Sequence, residues 1–181
     1  MTFNRFIPFV LILILSSCQK EKPIPLTGEV TMDSTLFGSG SGPYPYYLIG
    51  FSFSQGKLIE YRNGNVPDIT ILPKTEVSGN VKSAFLDTPN VFPSFSLTAA
   101  FDNADDALTF FGNYLEAADS GYISLADPIL PHQIWTFKTA TGRFAKMLIM
   151  DVKTMLKDQV PYAEVTFRYV YQPDGTPVFQ E

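Results

Sequence analysis

Hydrophobic and polar positions alternate with period two over much of the chain, the pattern of half-buried strands. The cleanest case is Tyr47 to Ser54, where Tyr47, Ile49, Phe51 and Phe53 share one side and Leu48, Gly50, Ser52 and Ser54 the other. Gln55-Gly56 turns it into Lys57–Tyr61, and Asn63-Gly64 is a second turn signal. Val165, Phe167, Tyr169 and Tyr171 oppose Glu164, Thr166, Arg168 and Val170 in the same way. Gln133–Lys138 and Arg143–Asp151 read as a hairpin with Gly142 at its turn. Shorter strands are expected at 28–33, at 68–72 up to Pro73, at 81–86 and at 92–97. Pro173-Asp174-Gly175 marks a turn, after which 176–179 is expected to close the sheet.

One stretch follows a different period. Ala104, Leu108, Phe111, Leu115 and Ala118 recur at helical spacing. Asp102 or Asn103 can cap that helix, Asp105 and Asp106 suit its positive end, and Ser120-Gly121 can stop it. The pattern predicts a mainly β chain with one short helix near 103–118.

Composition supports this. Aromatics are 14% of the 181 residues, cut by 14 Pro and 12 Gly, and 45% of the chain is hydrophobic. Such a chain has enough apolar surface for a core and is not of the disordered class. The net charge of −5 disfavours nucleic acid as a partner, since phosphates need a basic face. The single Cys and single His exclude disulfide frameworks and zinc-finger sites within one chain.

Residues 1 to 17 read as a secretory signal, with Arg5 ahead of an apolar run, Phe6 to Leu15, that is too short to span a bilayer. Leu15-Ser16-Ser17-Cys18 resembles a bacterial lipobox, which implies cleavage before Cys18 and its lipidation. Residues 18–26 are then a lipid-anchored, Pro-stiffened tether, and 27–181 one β domain. Gln19, where Asp would suggest retention at the inner membrane, resembles the signal of lipoproteins sent to the outer membrane, on its periplasmic side or the cell surface.

Candidate chemistry is sparse. Asp102, Asp105 and Asp106 lack the spacing of a calcium loop and are better read as helix caps. The Gly-rich stretch 38–42 lacks the Gly-Lys-Ser/Thr ending of a phosphate loop. No Gly-x-Ser-x-Gly elbow accompanies His132, so no enzyme is expected and no metal site is assigned. Met147 and Met150 fall on opposite faces of one strand and cannot jointly hold one iron. Lys138, Arg143, Lys146, Lys153, Lys157 and Arg168 form a basic concentration, readable as an anion- or lipid-attracting stripe or as a solvated strand edge.

Phe51-Ser52-Phe53-Ser54-Gln55-Gly56-Lys57, then Lys138-Thr139-Ala140-Thr141-Gly142-Arg143-Phe144-Ala145-Lys146, then Thr166-Phe167-Arg168-Tyr169-Val170-Tyr171, resemble in order and spacing the HmuY-like lipoproteins of Bacteroidetes-type bacteria. The resemblance covers the first hairpin and about the last 50 residues. It implies an antiparallel β scaffold, export, a lipid anchor, haem as the ligand of the best-known members and an outer-membrane transport partner. Family ligands come from His and Met on central loops, whereas 81–131 here contains neither, so no ligand position carries over. Candidate ligand-binding residues are then His132 and the tyrosines beside the Gly-rich stretch, Tyr44 and Tyr46. The rival expectation is a structural or protein-interaction lipoprotein on the same scaffold, without haem.

Overall fold

The structure is a computed structural model that describes residues 26–38, 46–61, 64–89 and 92–179. The signal sequence, Cys18, residues 18–25 and Tyr44 lie outside the described residues. The elements in chain order are β1 (Leu26–Asp33), β2 (Leu36–Gly38), β3 (Tyr46–Ser52), β4 (Lys57–Glu60), β5 (Thr70–Thr75), β6 (Val81–Asp87), β7 (Phe95–Ala100), α1 (Ala104–Asn113), β8 (Leu125–Ala126), β9 (Gln133–Lys138), β10 (Phe144–Lys157) and β11 (Val160–Gln172). The fold class is mainly β with antiparallel pairing and one short helix, as the alternation predicts.

A five-stranded sheet in the order β1-β11-β10-β9-β7 is the frame. Smaller sheets, β2-β3-β4 and β5-β6-β8, hold the other strands among the described residues. One face of the frame carries Val165, Phe167, Tyr169 and Tyr171 from β11, Met147 and Ile149 from β10, and Trp135 and Phe137 from β9. Phe51 and Phe53 from the first hairpin, Ile69 just before β5, and Ile71, Ala84 and Leu86 from β5 and β6 pack onto it. The rings meet mostly edge to face or tilted, Phe51 at 5.5 Å from Phe167 and Phe53 at 5.2 Å from Phe137, arrangements that suit their quadrupoles. The hydrophobic residues of the resemblance motifs are therefore mostly core side chains of the scaffold.

Gly50 lets β3 approach β5. A Cβ there would stand 2.5 Å from the Ile69 carbonyl oxygen and 2.6 Å from Pro67. The close approach allows the Phe51 amide to donate to that carbonyl at 2.9 Å.

Among the described residues, the other face of the frame is covered only in part. Ala107 and Phe111 of α1 sit on Ile134 and Leu148. The Asn103 side chain accepts from the Asp106 amide at 2.9 Å, the capping expected of Asp102 or Asn103.

Five expectations need correction. The helix ends at Asn113 and not near 118. Tyr114 adopts extended geometry, and the segment after it joins the C-terminal segment, with Ala117 donating to Pro177 and Phe179 to Leu115. Residues 176–179 accordingly pair with that segment through Glu116 and Val178, and do not extend the main sheet. Pro73 does not end β5 but lies inside it, opposite Ala84, which an outer strand allows because one side of its backbone needs no partner. The hairpin strand does not stop near Asp151 but runs on to Lys157, past a bulge between Ile149 and Asp151. The expected strand at 92–97 is displaced to Phe95–Ala100.

Candidate functional site

An open cleft of about 480 Å³ lies between the β3-β4 hairpin and the β5-β6 pair. Leu48 and Tyr61 form one wall, Thr70 and Leu72 another, and Pro89, Phe92 and Pro93 a third. Asp87, Thr88 and Ser124 supply polar groups. Two of the walls follow from strand geometry, and the third is the loop between β6 and β7. Leu48 is one rung from the Ile49–Glu60 pair that brings Tyr61 alongside, and the Tyr61 amide donates to the Leu48 carbonyl at 2.8 Å. Thr70 stands opposite Asp87 in the β5-β6 register, which places the acid at the end of β6, where the chain enters the Pro-rich segment.

The electrostatics single out Asp87. Burial raises its pKa above the ordinary carboxylate value, only partly offset by the Thr88 backbone amide. An acid with apolar walls attracts a cation or a hydrogen-bond donor more strongly than one in open solvent, because less water screens it. The chemistry available is recognition: two aromatic rings and several aliphatic groups for a flat apolar body, one carboxylate and two or three hydroxyls to orient it.

A second acid, Asp68, is also raised by burial, but its carboxylate accepts from the Phe53 amide at 2.8 Å and holds the turn of the first hairpin. It is a structural acid.

The sequence-derived site residues are not brought together by the described residues. His132 is half-buried in a left-handed conformation, φ 67°, between β8 and β9. Its amide donates to the Ile149 carbonyl at 2.8 Å and its carbonyl accepts from the Phe101 amide at 3.3 Å. It therefore shapes the start of β9 and does not line the cleft. Tyr46 occupies the first position of β3, opposite Gly38. Tyr44 and Cys18 lie outside the described residues. Among the described residues no group of three or more His, Cys, Asp or Glu is placed to hold a metal ion, and no helix is long and apolar enough to cross a membrane.

The basic stripe does not exist as one surface. Lys146 is buried, 2% exposed, with its ammonium donating to the carbonyls of Phe111 (2.6 Å) and Tyr114 (2.8 Å) at the end of α1. Lys153 pairs with Glu164 and Arg168 with Glu29, each at 2.7 Å, and the Arg143 guanidinium donates to the Pro173 carbonyl.

Sequence reasoning missed Tyr61, Asp87 and Phe92. Tyr61 and Asp87 lie at strand ends and Phe92 in a loop, so each reads as a boundary position. The available signal was the run Asp87-Thr88-Pro89, a polar strand end that breaks straight into a proline, followed by Phe92-Pro93.

No protein-family model matches the chain, and no curated protein does. Among solved structures, the chain is similar to the Tannerella forsythia HmuY analog in its apo crystal form, at 13% identity and a TM-score of 0.40, over 84% of this chain and 99% of that one. At that depth the relationship is structural and assigns no family; the fold class stands on the strand order and register above.

Proposed function

We propose that this chain is a non-enzymatic ligand-binding lipoprotein, exported, anchored through Cys18 and held at the outer membrane, which takes a small, largely apolar ligand in the Tyr61–Phe92 cleft. The observation that carries the reading is the cleft itself: aromatic and aliphatic walls around one partly desolvated carboxylate, Asp87. The ligand class that matches is a flat apolar molecule bearing a cationic or hydrogen-bond-donating group. An outer-membrane transport partner that receives the ligand fits the same reading.

The test is a fluorescence titration of the domain from Leu26 onward with 9-aminoacridine, a planar aromatic cation. The expected result is saturable binding, weakened about tenfold by Asp87→Asn, which is about 1.4 kcal/mol, and lost in Tyr61→Ala. Binding should also fall on acidification earlier than an ordinary carboxylate would dictate, because protonating Asp87 removes the charge. Binding that ignores both substitutions contradicts the proposal.

Haem is the second reading, favoured by one observation: the Tyr61 phenol in the cleft wall offers an axial oxygen. Without His or Met in the cleft, haemin is expected to bind weakly, with a broad and little-shifted Soret band. A sharp six-coordinate band at sub-micromolar affinity would restore haem capture through His132, Tyr44 or Tyr46, and its loss in His132→Ala would name the ligand.

A further inference from the structure

The outer half of the β10-β11 hairpin stands apart from the rest of the frame. β9 pairs with β10 only over Phe144–Leu148, and β1 reaches β11 only as far as Glu164. Beyond Met150 the strand runs on with Asp151, Lys153, Thr154, Met155, Leu156 and Lys157 exposed. Its β11 side is fully paired, down to Lys157 opposite Val160. Among the described residues, its other side carries no strand.

The turn fixes which backbone groups that free edge offers. Asp158 and Gln159 both have positive φ, 52° and 64°, the geometry of a two-residue type I′ turn. Such a turn makes Lys157 and Val160 a hydrogen-bonded pair. Alternation along the strand then turns the N–H and C=O groups of Val152, Thr154 and Leu156 outward. An open edge of this kind templates another strand unless side chains forbid it.

The side chains forbid most registers and favour one. Two copies of this edge, joined antiparallel about a twofold axis at Thr154, set Asp151 of each copy opposite Lys157 of the other. The same register sets Val152 opposite Leu156, and Thr154 opposite itself. Lys153 falls opposite the uncharged Met155, and the outward-facing residues fall opposite one another, giving about six backbone hydrogen bonds. Moving the axis one residue either way puts Lys153 opposite itself or opposite Lys157, a like-charge clash. The two lysines thus select the register instead of simply blocking the edge. Lys157 is already held alongside the strand, over the Tyr162 ring at 4.8 Å.

We propose that the β10 edge from Asp151 to Lys157 is a self-pairing surface through which two copies of this chain join their five-stranded sheets into one. The twofold leaves the two Leu26 ends at opposite extremes of the pair, because β1 begins beside Tyr171, far from the hairpin tip. Copies sharing one bilayer would lie with the joined sheet parallel to it. The inference rests on the hairpin and is independent of the cleft.

The experiment is sedimentation equilibrium of the full chain in density-matched detergent. Edge pairing buries little area and is weak, so the concentration series should extend to about 0.5 mM. The wild type is expected to show a monomer–dimer equilibrium. Asp151→Lys, which puts Lys opposite Lys157, should shift it to monomer, and Asp151→Lys with Lys157→Asp should restore the dimer. Thr154→Pro, which removes an outward N–H and spares the β11 ladder, should also leave monomer, with the β signature of the circular dichroism spectrum retained. A wild type that stays monomeric throughout, or single variants that associate as the wild type does, would overturn the proposal.

Discussion

The two faces of the five-stranded sheet are built from the same alternating strands and end in opposite conditions. On the inner face every β11 position from Val165 to Tyr171 is buried, among rings of the main sheet and the first hairpin and aliphatic side chains of the β5-β6 pair. On the outer face burial changes along a single cross-strand row. Glu29 and Arg168 form an exposed ion pair, and the next two positions in that row, Leu148 and Ile134, are buried under α1. Period two assigns a side chain to a face. Whether that face is wet depends on what lies over it, and the strand's own pattern does not carry that information.

The comparison is broken most directly by truncation on the inner face. Phe167→Ala is expected to cost about 3–5 kcal/mol in denaturant unfolding, because the ring is fully buried against Phe51 and leaves a cavity. Arg168→Ala, one residue on and facing the other way, should cost under about 0.5 kcal/mol, since an exposed pair with Glu29 adds little. Equal losses would refute the facing assignment.

Lys146→Met probes the covered part of the outer face. The stem is kept, but two charge-assisted hydrogen bonds vanish and the Phe111 and Tyr114 carbonyls lose their donor. Destabilisation of about 2–4 kcal/mol is expected. It should come with faster hydrogen exchange in α1, because the ammonium also faces the negative end of the helix dipole. Unchanged exchange in α1 would show that the lysine does not hold the helix end.

The smallest effect concerns Asp68. Burial raises its folded-state pKa above the unfolded value of 3.8, so its protonated form favours the fold. Its contribution is fully present below 3.8 and is lost as pH rises through the raised folded value. Asp68→Asn, whose amide oxygen can still accept from Phe53, should abolish that loss. Its stability relative to the wild type should therefore rise between about pH 4 and neutrality. A gap that is flat or of opposite sign in paired unfolding curves at the two pH values would contradict the burial argument.

Much of the scaffold was legible because its signals are local. Alternation in Tyr47–Ser54 and Ala163–Tyr171, the Gly142 turn and the Asn103 cap each depend on a few neighbouring residues. What escaped needs partners distant in the chain. Lys146 reads as a surface cation until the end of α1 is known to lie over it. Leu115 reads as the continuing stripe of a helix, although the chain has left the helix to meet Phe179. The outer hairpin escaped because Asp158-Gln159 carries no glycine and the residues before it mix charge with apolar groups. The candidate site was the least legible part, since Tyr61, Asp87 and Phe92 come from three separate segments and share no motif. The fold was read from repeated local patterns; the cleft exists only where three such patterns end.

The central claim is that ligand is held in that cleft, and amide NMR of the domain from Leu26 onward during titration with 9-aminoacridine tests it most directly. Shifts are expected to concentrate at Tyr61, Thr70, Leu72, Asp87 and Thr88 and to titrate with one affinity. The amides of His132 and of the 151–160 hairpin should stay still. Shifts centred on His132 or on the hairpin, with the cleft silent, would contradict the account.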